Sequence, residues 1–94
     1  MIQYKIKPYT YEQAKKLNVS IFPSDNLKYK LELYDKYGNF LFYIGANGYN
    51  DYPTYLETCG KEYADERRRL YKLRHNKYRH LIGTKSYYAD KLLW

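Results

Sequence analysis

Apolar and polar positions alternate from the start of the chain. Ile2, Tyr4 and Ile6 are separated by Gln3, Lys5 and Lys7, the period of two of a half-buried strand, which Pro8 would end. Thr10 stands three residues before Gln13, a capping-box spacing in which the hydroxyl accepts a first-turn amide and the glutamine reaches back to the cap. A short helix from about Tyr11 to Leu17 is predicted, with Ala14 and Leu17 turned inward. Phe22-Pro23-Ser24-Asp25-Asn26 is rich in turn formers and reads as a loop. Alternation returns with Leu27, Tyr29, Leu31 and Leu33 against Lys28, Lys30 and Glu32, and Phe40 to Ile44 is an aromatic and β-branched run. Asp35-Lys36-Tyr37-Gly38-Asn39 between them supplies the turn of a β-hairpin.

The periodicity then changes. Gly45 and Gly48 break the second hairpin strand, and Asp51 can cap a helix that accepts Pro53 in its first turn and is interrupted or ended at Gly60. From Lys61 to Leu81 there is neither proline nor glycine, and strong helix formers predict one long helix ending at Gly83. Ser86 to Trp94 reads as a capped final turn or two that returns Leu92, Leu93 and Trp94 to the core. The fold class expected is α+β: strand, short helix, β-hairpin, long basic C-terminal helix and short terminal helix, in one small domain over residues 1–94.

Charge sharpens the picture of the long helix. The net charge of +7 is concentrated at residues 61–94, which carry +6, and all five arginines fall between Arg67 and Arg79. At 100° per residue, Tyr63, Leu70, Tyr78 and Leu81 gather on one side, flanked by Ala64, Tyr71 and Ile82, and are assigned to the core. Opposite them lie Lys61, Arg68, Lys72 and Arg79, with Arg69 and Asn76 close by and Asp65 as the one opposing charge. Eighteen helical steps give this stripe a length of about 27 Å. It can track a phosphate backbone by releasing counterions, with arginine forks binding two oxygens at once, or it can be an ordinary solvated face. Arg67 and Arg74 fall within the apolar side, where Asp51, Asp90 or a tyrosine ring would have to satisfy them unless they form a phosphate or ligand site.

Composition narrows the classes. Fifteen tyrosines and three phenylalanines make an aromatic core with polar edges, and a surplus of rings suited to an interface. Cys59 is the only cysteine, so no intrachain disulfide forms, and a reducing compartment is expected. No apolar run resembles a signal peptide or a membrane span. His75 and His80 lie on different helix faces without cysteine or carboxylate companions, which points to no metal, and Asp65 and Glu66 are adjacent and so diverge. No catalytic residue and no cofactor are assigned.

Tyr43-Ile44-Gly45 after a hairpin is similar to the second half of the GIY-YIG nuclease signature. No glycine-isoleucine-tyrosine triplet precedes it, and the first arginine, Arg67, lies too far along for that family's catalytic position. The blocks YTYEQAKKL, IGANGYNDYPTY, YADERRRLYKLRH and GTKSYYADKLLW together resemble a family of short basic proteins encoded by giant nucleocytoplasmic large DNA viruses. That resemblance implies a viral origin, with the virion, host cytoplasm or viral factory as location, and transfers no catalytic residue. Tyr29, Tyr34 and Tyr37 depart from the pattern and make the hairpin less basic. The function expected is non-enzymatic nucleic-acid binding through Lys61, Arg68, Arg69, Lys72 and Arg79, with DNA ahead of RNA, in genome coating or packaging. The alternative is a structural or protein-interaction module of a virus particle with other virion proteins as partners. Oligomeric state is left open.

Overall fold

The computed structural model describes residues 2–94 and is α+β. Its elements are α1 (Pro8–Leu17), β1 (Ser20–Pro23), β2 (Tyr29–Tyr34), β3 (Phe40–Ala46), α2 (Tyr52–Cys59), α3 (Lys61–Arg74) and α4 (Lys85–Leu93). They gather into two compact units, Met1–Tyr49 and Asn50–Trp94.

In the first unit the strands form an antiparallel sheet in the order β1-β2-β3. The predicted hairpin is β2 and β3, with Leu31 opposite Ile44 and Leu33 opposite Phe42. Its turn closes because the Asp35 carboxylate accepts the backbone N–H of Tyr37 and of Asn39, both at 2.9 Å, while Gly38 takes a φ of 85° that a side chain would resist. Those two hydrogen bonds hold the Asp35 carboxyl below its ordinary range. Leu31, Leu33 and Ile44 are fully buried. Removing side chains of this size from water stabilises by roughly 1.5–3 kcal/mol each.

Three expectations for this unit are corrected. Residues 2–7 are not a strand: Ile6 is buried while Ile2 is exposed, so the alternation does not serve one face. Side chains tie the segment down instead, with Asn47 Nδ2 donating to the Ile2 carbonyl and Gln3 Nε2 to the Ser24 carbonyl. The first helix starts at Pro8, not Tyr11, because proline at the first helical position has φ preset and no N–H to lose. Thr10 is therefore inside the helix and buried, not its cap. Finally, Ser20–Pro23, part of which reads as loop, is strand β1, with Ile21 buried opposite Leu33. An edge strand tolerates Pro23, which reads as a breaker in sequence.

In the second unit, α2 begins as expected at Asp51, whose carboxylate accepts the Thr54 amide at 3.0 Å, with Pro53 in the first turn. Gly60 separates α2 from α3 at φ 87° and ψ 169°, a conformation that is essentially glycine's alone. Thr84 caps α4 by accepting the Tyr87 amide, and α4 buries Leu92 and Leu93. The long helix is shorter than predicted. It stops at Arg74, and the chain continues to Thr84 in short turns, among them Tyr78 N–H to the His75 carbonyl and Leu81 N–H to the Tyr78 carbonyl. The inward stripe is also rotated. Ala64 is fully buried and Arg68, Tyr71 and His75 half-buried, whereas Tyr63, Tyr78, Leu81 and Ile82 are exposed. The predicted face is thus displaced by one residue, about 100° around the helix. No helix among the described residues is long and apolar enough to cross a membrane.

Candidate nucleic-acid interface

Each residue of the predicted basic stripe meets a partner inside its own unit. Lys61 donates to Asp65 at 2.6 Å, one turn away, and this raises the lysine pKa while holding the carboxyl low. Arg69 forks onto Glu66 through Nε and Nη2 at 3.0 and 2.6 Å, with the Glu66 carboxyl lowered as a result. Both pairs are exposed, where such contacts contribute little and a phosphate oxygen can compete. Arg68 lies against the Tyr52 ring, its guanidinium carbon 3.4 Å from the centroid. Tyr52 in turn donates from its hydroxyl to Asp65 at 2.9 Å, and burial followed by that carboxylate raises its pKa.

Of the two arginines assigned to the apolar side, Arg67 sits 5.6 Å from the Tyr55 ring centroid, with its Nε buried and without an acceptor. Arg74 is exposed at the end of α3. The structure does not bring these two together.

Lys72 and Arg79 converge on Asp90 of α4. The carboxylate is fully buried; Lys72 Nζ donates to Oδ1 at 2.9 Å, while Arg79 Nη1 and Lys91 Nζ stand 3.7 and 3.9 Å from Oδ2. Lys72 is thus turned inward, not along a solvent stripe. Next to this cluster, the Tyr71 ring is stacked between Trp94 at 4.3 Å and His75 at 4.2 Å. Burial first, and the Asp90 charge second, push its phenol up to about 12. One sequence signal was available for this hub: Asp90 is the only acid after Glu66.

The surface of the second half of α3 and of the turns after it is basic and apolar together. From Arg67 to Ala89 there are eight lysines and arginines and no acidic residue. Arg69, Arg74 and Lys77 are exposed within it, as are Leu73, Tyr78, Leu81 and Ile82.

The first unit carries a different surface. Phe22, Tyr34, Phe40, Tyr43 and Tyr29 form a chain of ring contacts across all three strands, with successive centroids 5.0–5.6 Å apart. Phe22 and Phe40 are about half exposed. A carboxylate lies among these rings: Glu32 accepts the Asp25 amide at 2.9 Å and the Tyr34 hydroxyl at 2.7 Å, which lowers its pKa and raises that of Tyr34, while hydrogen bonding between the two carboxyl side chains, followed by the Glu32 charge, raises that of Asp25. An open groove of about 380 Å³ runs between α1 and β1, bordered by Tyr11, Lys15 and Phe22.

Among the described residues no three His, Cys, Asp or Glu side chains cluster as metal ligands. No protein family, curated protein or solved structure matches the chain.

Proposed function

We propose that the chain is a non-enzymatic nucleic-acid-binding protein that contacts the phosphate backbone without reading sequence. The observation that carries this reading is the stretch from Arg67 to Ala89, with eight cations and no acid, and with Arg69, Arg74 and Lys77 on its surface. Each phosphate neutralised there releases counterions, so affinity should fall steeply with salt. Tyr78, half exposed in the same segment, offers a ring on which an unpaired base can stack. DNA is favoured over RNA, and coating or packaging of a large viral genome is the role, on the strength of the sequence blocks that resemble giant-virus proteins.

Binding of fluorescent single- and double-stranded DNA and RNA across a salt titration tests the reading. Arg69, Arg74 and Lys77 changed together to glutamate leave the Asp90 cluster intact and should abolish binding. Salt-insensitive binding, or binding unchanged by that triple substitution, rejects the phosphate mechanism. Arg68, Lys72 and Arg79 are poorer targets because changing them also removes contacts to Tyr52 and Asp90 inside the unit.

A second reading, a protein-interaction module of a virus particle, draws on the aromatic chain over the sheet. Aromatic rings supply much of the binding energy at interfaces. Sedimentation at rising concentration, comparing the wild type with Phe22→Ser plus Phe40→Ser, addresses self-association. A monomer at all concentrations removes self-assembly from that reading.

A further inference from the structure

The Asp90 cluster holds more positive charge than its carboxylate can neutralise. Three cations, Lys72, Arg79 and Lys91, surround one carboxylate within 4 Å, and Lys72 alone makes a hydrogen bond to it. Arg79 and Lys91 stand off at 3.7 and 3.9 Å, too far for N–H···O bonds. Among the described residues neither the buried Arg79 Nε nor the buried Asp90 Oδ2 has a hydrogen-bond partner. A buried donor without a partner is costly, and three like charges within one site repel.

We propose that Lys72, Arg79 and Lys91, assembled over the buried Asp90 carboxylate, form a discrete site for a phosphate group. The exposures set its polarity: the Asp90 side chain is 0% exposed, whereas Arg79, Lys72 and Lys91 are 19, 29 and 43% exposed. The carboxylate is therefore the floor, which positions the cations, and the cations are the rim that an anion meets. Two net positive charges remain for a ligand, which matches a phosphate monoester. The guanidinium fork binds two of its oxygens, and the two ammonium groups bind the remainder as point charges. Tyr71 adds no competing charge there at neutral pH, since its phenol ionises only near 12.

Trp94 is the only tryptophan and stacks on Tyr71, so its emission reports on the site. Inorganic phosphate titrated into the full chain against chloride, at constant ionic strength, should give a saturable change in Trp94 emission. It should also shift one arginine Nε–H resonance, the one that Arg79→Gln removes. Lys91→Met leaves the Lys72–Asp90 bond in place and should weaken phosphate binding about tenfold, the scale of one lost charge-assisted contact. A chloride response equal to that of phosphate overturns the site, as does wild-type affinity in both Lys91→Met and Arg79→Gln.

The source of the phosphate is read with one single-stranded oligonucleotide carrying either a 5′-phosphate or a 5′-hydroxyl. Tighter binding of the phosphorylated strand, lost in Lys91→Met, assigns the site to strand ends. Equal binding of both strands beside saturable binding of inorganic phosphate assigns it to a free phosphate or a small phosphate ester. The site rests on the ion-pair geometry, separately from the surface contacts proposed above. Phosphate binding that survives when no oligonucleotide binds would sink the backbone reading and leave the site standing.

Discussion

The two units carry similar net charge, +3 over residues 1–49 and +4 over residues 50–94, yet use their charges differently. In the sheet unit the centre is aliphatic, one cation, Lys30, is buried with its ammonium 5.2 Å from the Tyr4 ring centroid, and short polar side chains stitch the turns, as Asp35 does for the hairpin and Ser24 and Asn26 do before β2. In the helical unit several cations take part in the packing: Arg68 against Tyr52, Arg67 over Tyr55, and Lys72 with Arg79 on Asp90. Net charge therefore overstates the cations available to a polyanion. What matters is which of them face water with only a weak partner, or with none.

Replacing the apolar centre of either unit should have the largest effect. Leu33→Ala in β2 and Leu92→Ala in α4 remove fully buried side chains and should each cost about 2–5 kcal/mol, read from urea denaturation. Equal losses would show that the helical unit depends on apolar burial as much as the sheet does, despite its internal ion pairs. A smaller loss for Leu92→Ala would shift weight to the Asp90 cluster.

The junction between α2 and α3 comes next. No atom outside the immediate chain lies within 4 Å of a Cβ placed on Gly60, so Gly60→Ala tests backbone conformation alone. The expected cost is about 1–3 kcal/mol, with thermal unfolding as the readout. A neutral result would mean that the junction relaxes to another φ without disturbing either helix.

Alkaline pH tests the burial of Tyr71 in the helical unit. The Tyr71 phenol lies at about 12 in the fold and near 10 in an unfolded chain, so it favours the folded state below about pH 10. That contribution is lost as pH rises through about 12. Tyr71→Phe should flatten the decline in stability between those values, followed by denaturant midpoints at stepped pH. An unchanged pH profile would mean that this phenol is not held back by burial and Asp90.

The smallest effect is expected on the surface of α3. Lys61→Ala breaks an exposed pair with Asp65 and should leave stability nearly unchanged, measured by denaturant melts at low and high salt. A larger, salt-resistant loss would mean that Asp65, which also accepts the Tyr52 hydroxyl, needs the lysine to hold that contact.

Much of the fold is legible in local signals. The hairpin follows from alternation and its Asp-Lys-Tyr-Gly-Asn turn, α2 from Asp51 and Pro53, and the break at Gly60 from glycine's backbone freedom. The misreadings in the sheet unit share one origin, a local signal with two meanings. Pro8 both ends strands and begins helices, and Pro23 both breaks a chain and sits at a sheet edge. The predicted stripe was less legible. Tyrosine and arginine each pair an apolar or planar body with a polar end, so either of two adjacent faces of α3 could be turned inward.

By itself, the sequence determined the class of fold, the hairpin and its register-setting turn, the cap of α2, and the concentration of charge beyond residue 60. These depend on interactions within a few residues, whose geometry the backbone and the turn chemistry dictate. Tertiary structure alone decided where α3 stops, which of its faces is buried, and which cations remain at the surface. Lys72 and Asp90 are eighteen residues apart, and their 2.9 Å bond exists only because the chain turns back after Arg74 to bring Asp90 of α4 to Lys72 of α3. No pattern in the helix itself encodes that return, because it is set by contacts between residues far apart in the chain, among them the burial of Leu92 and Leu93.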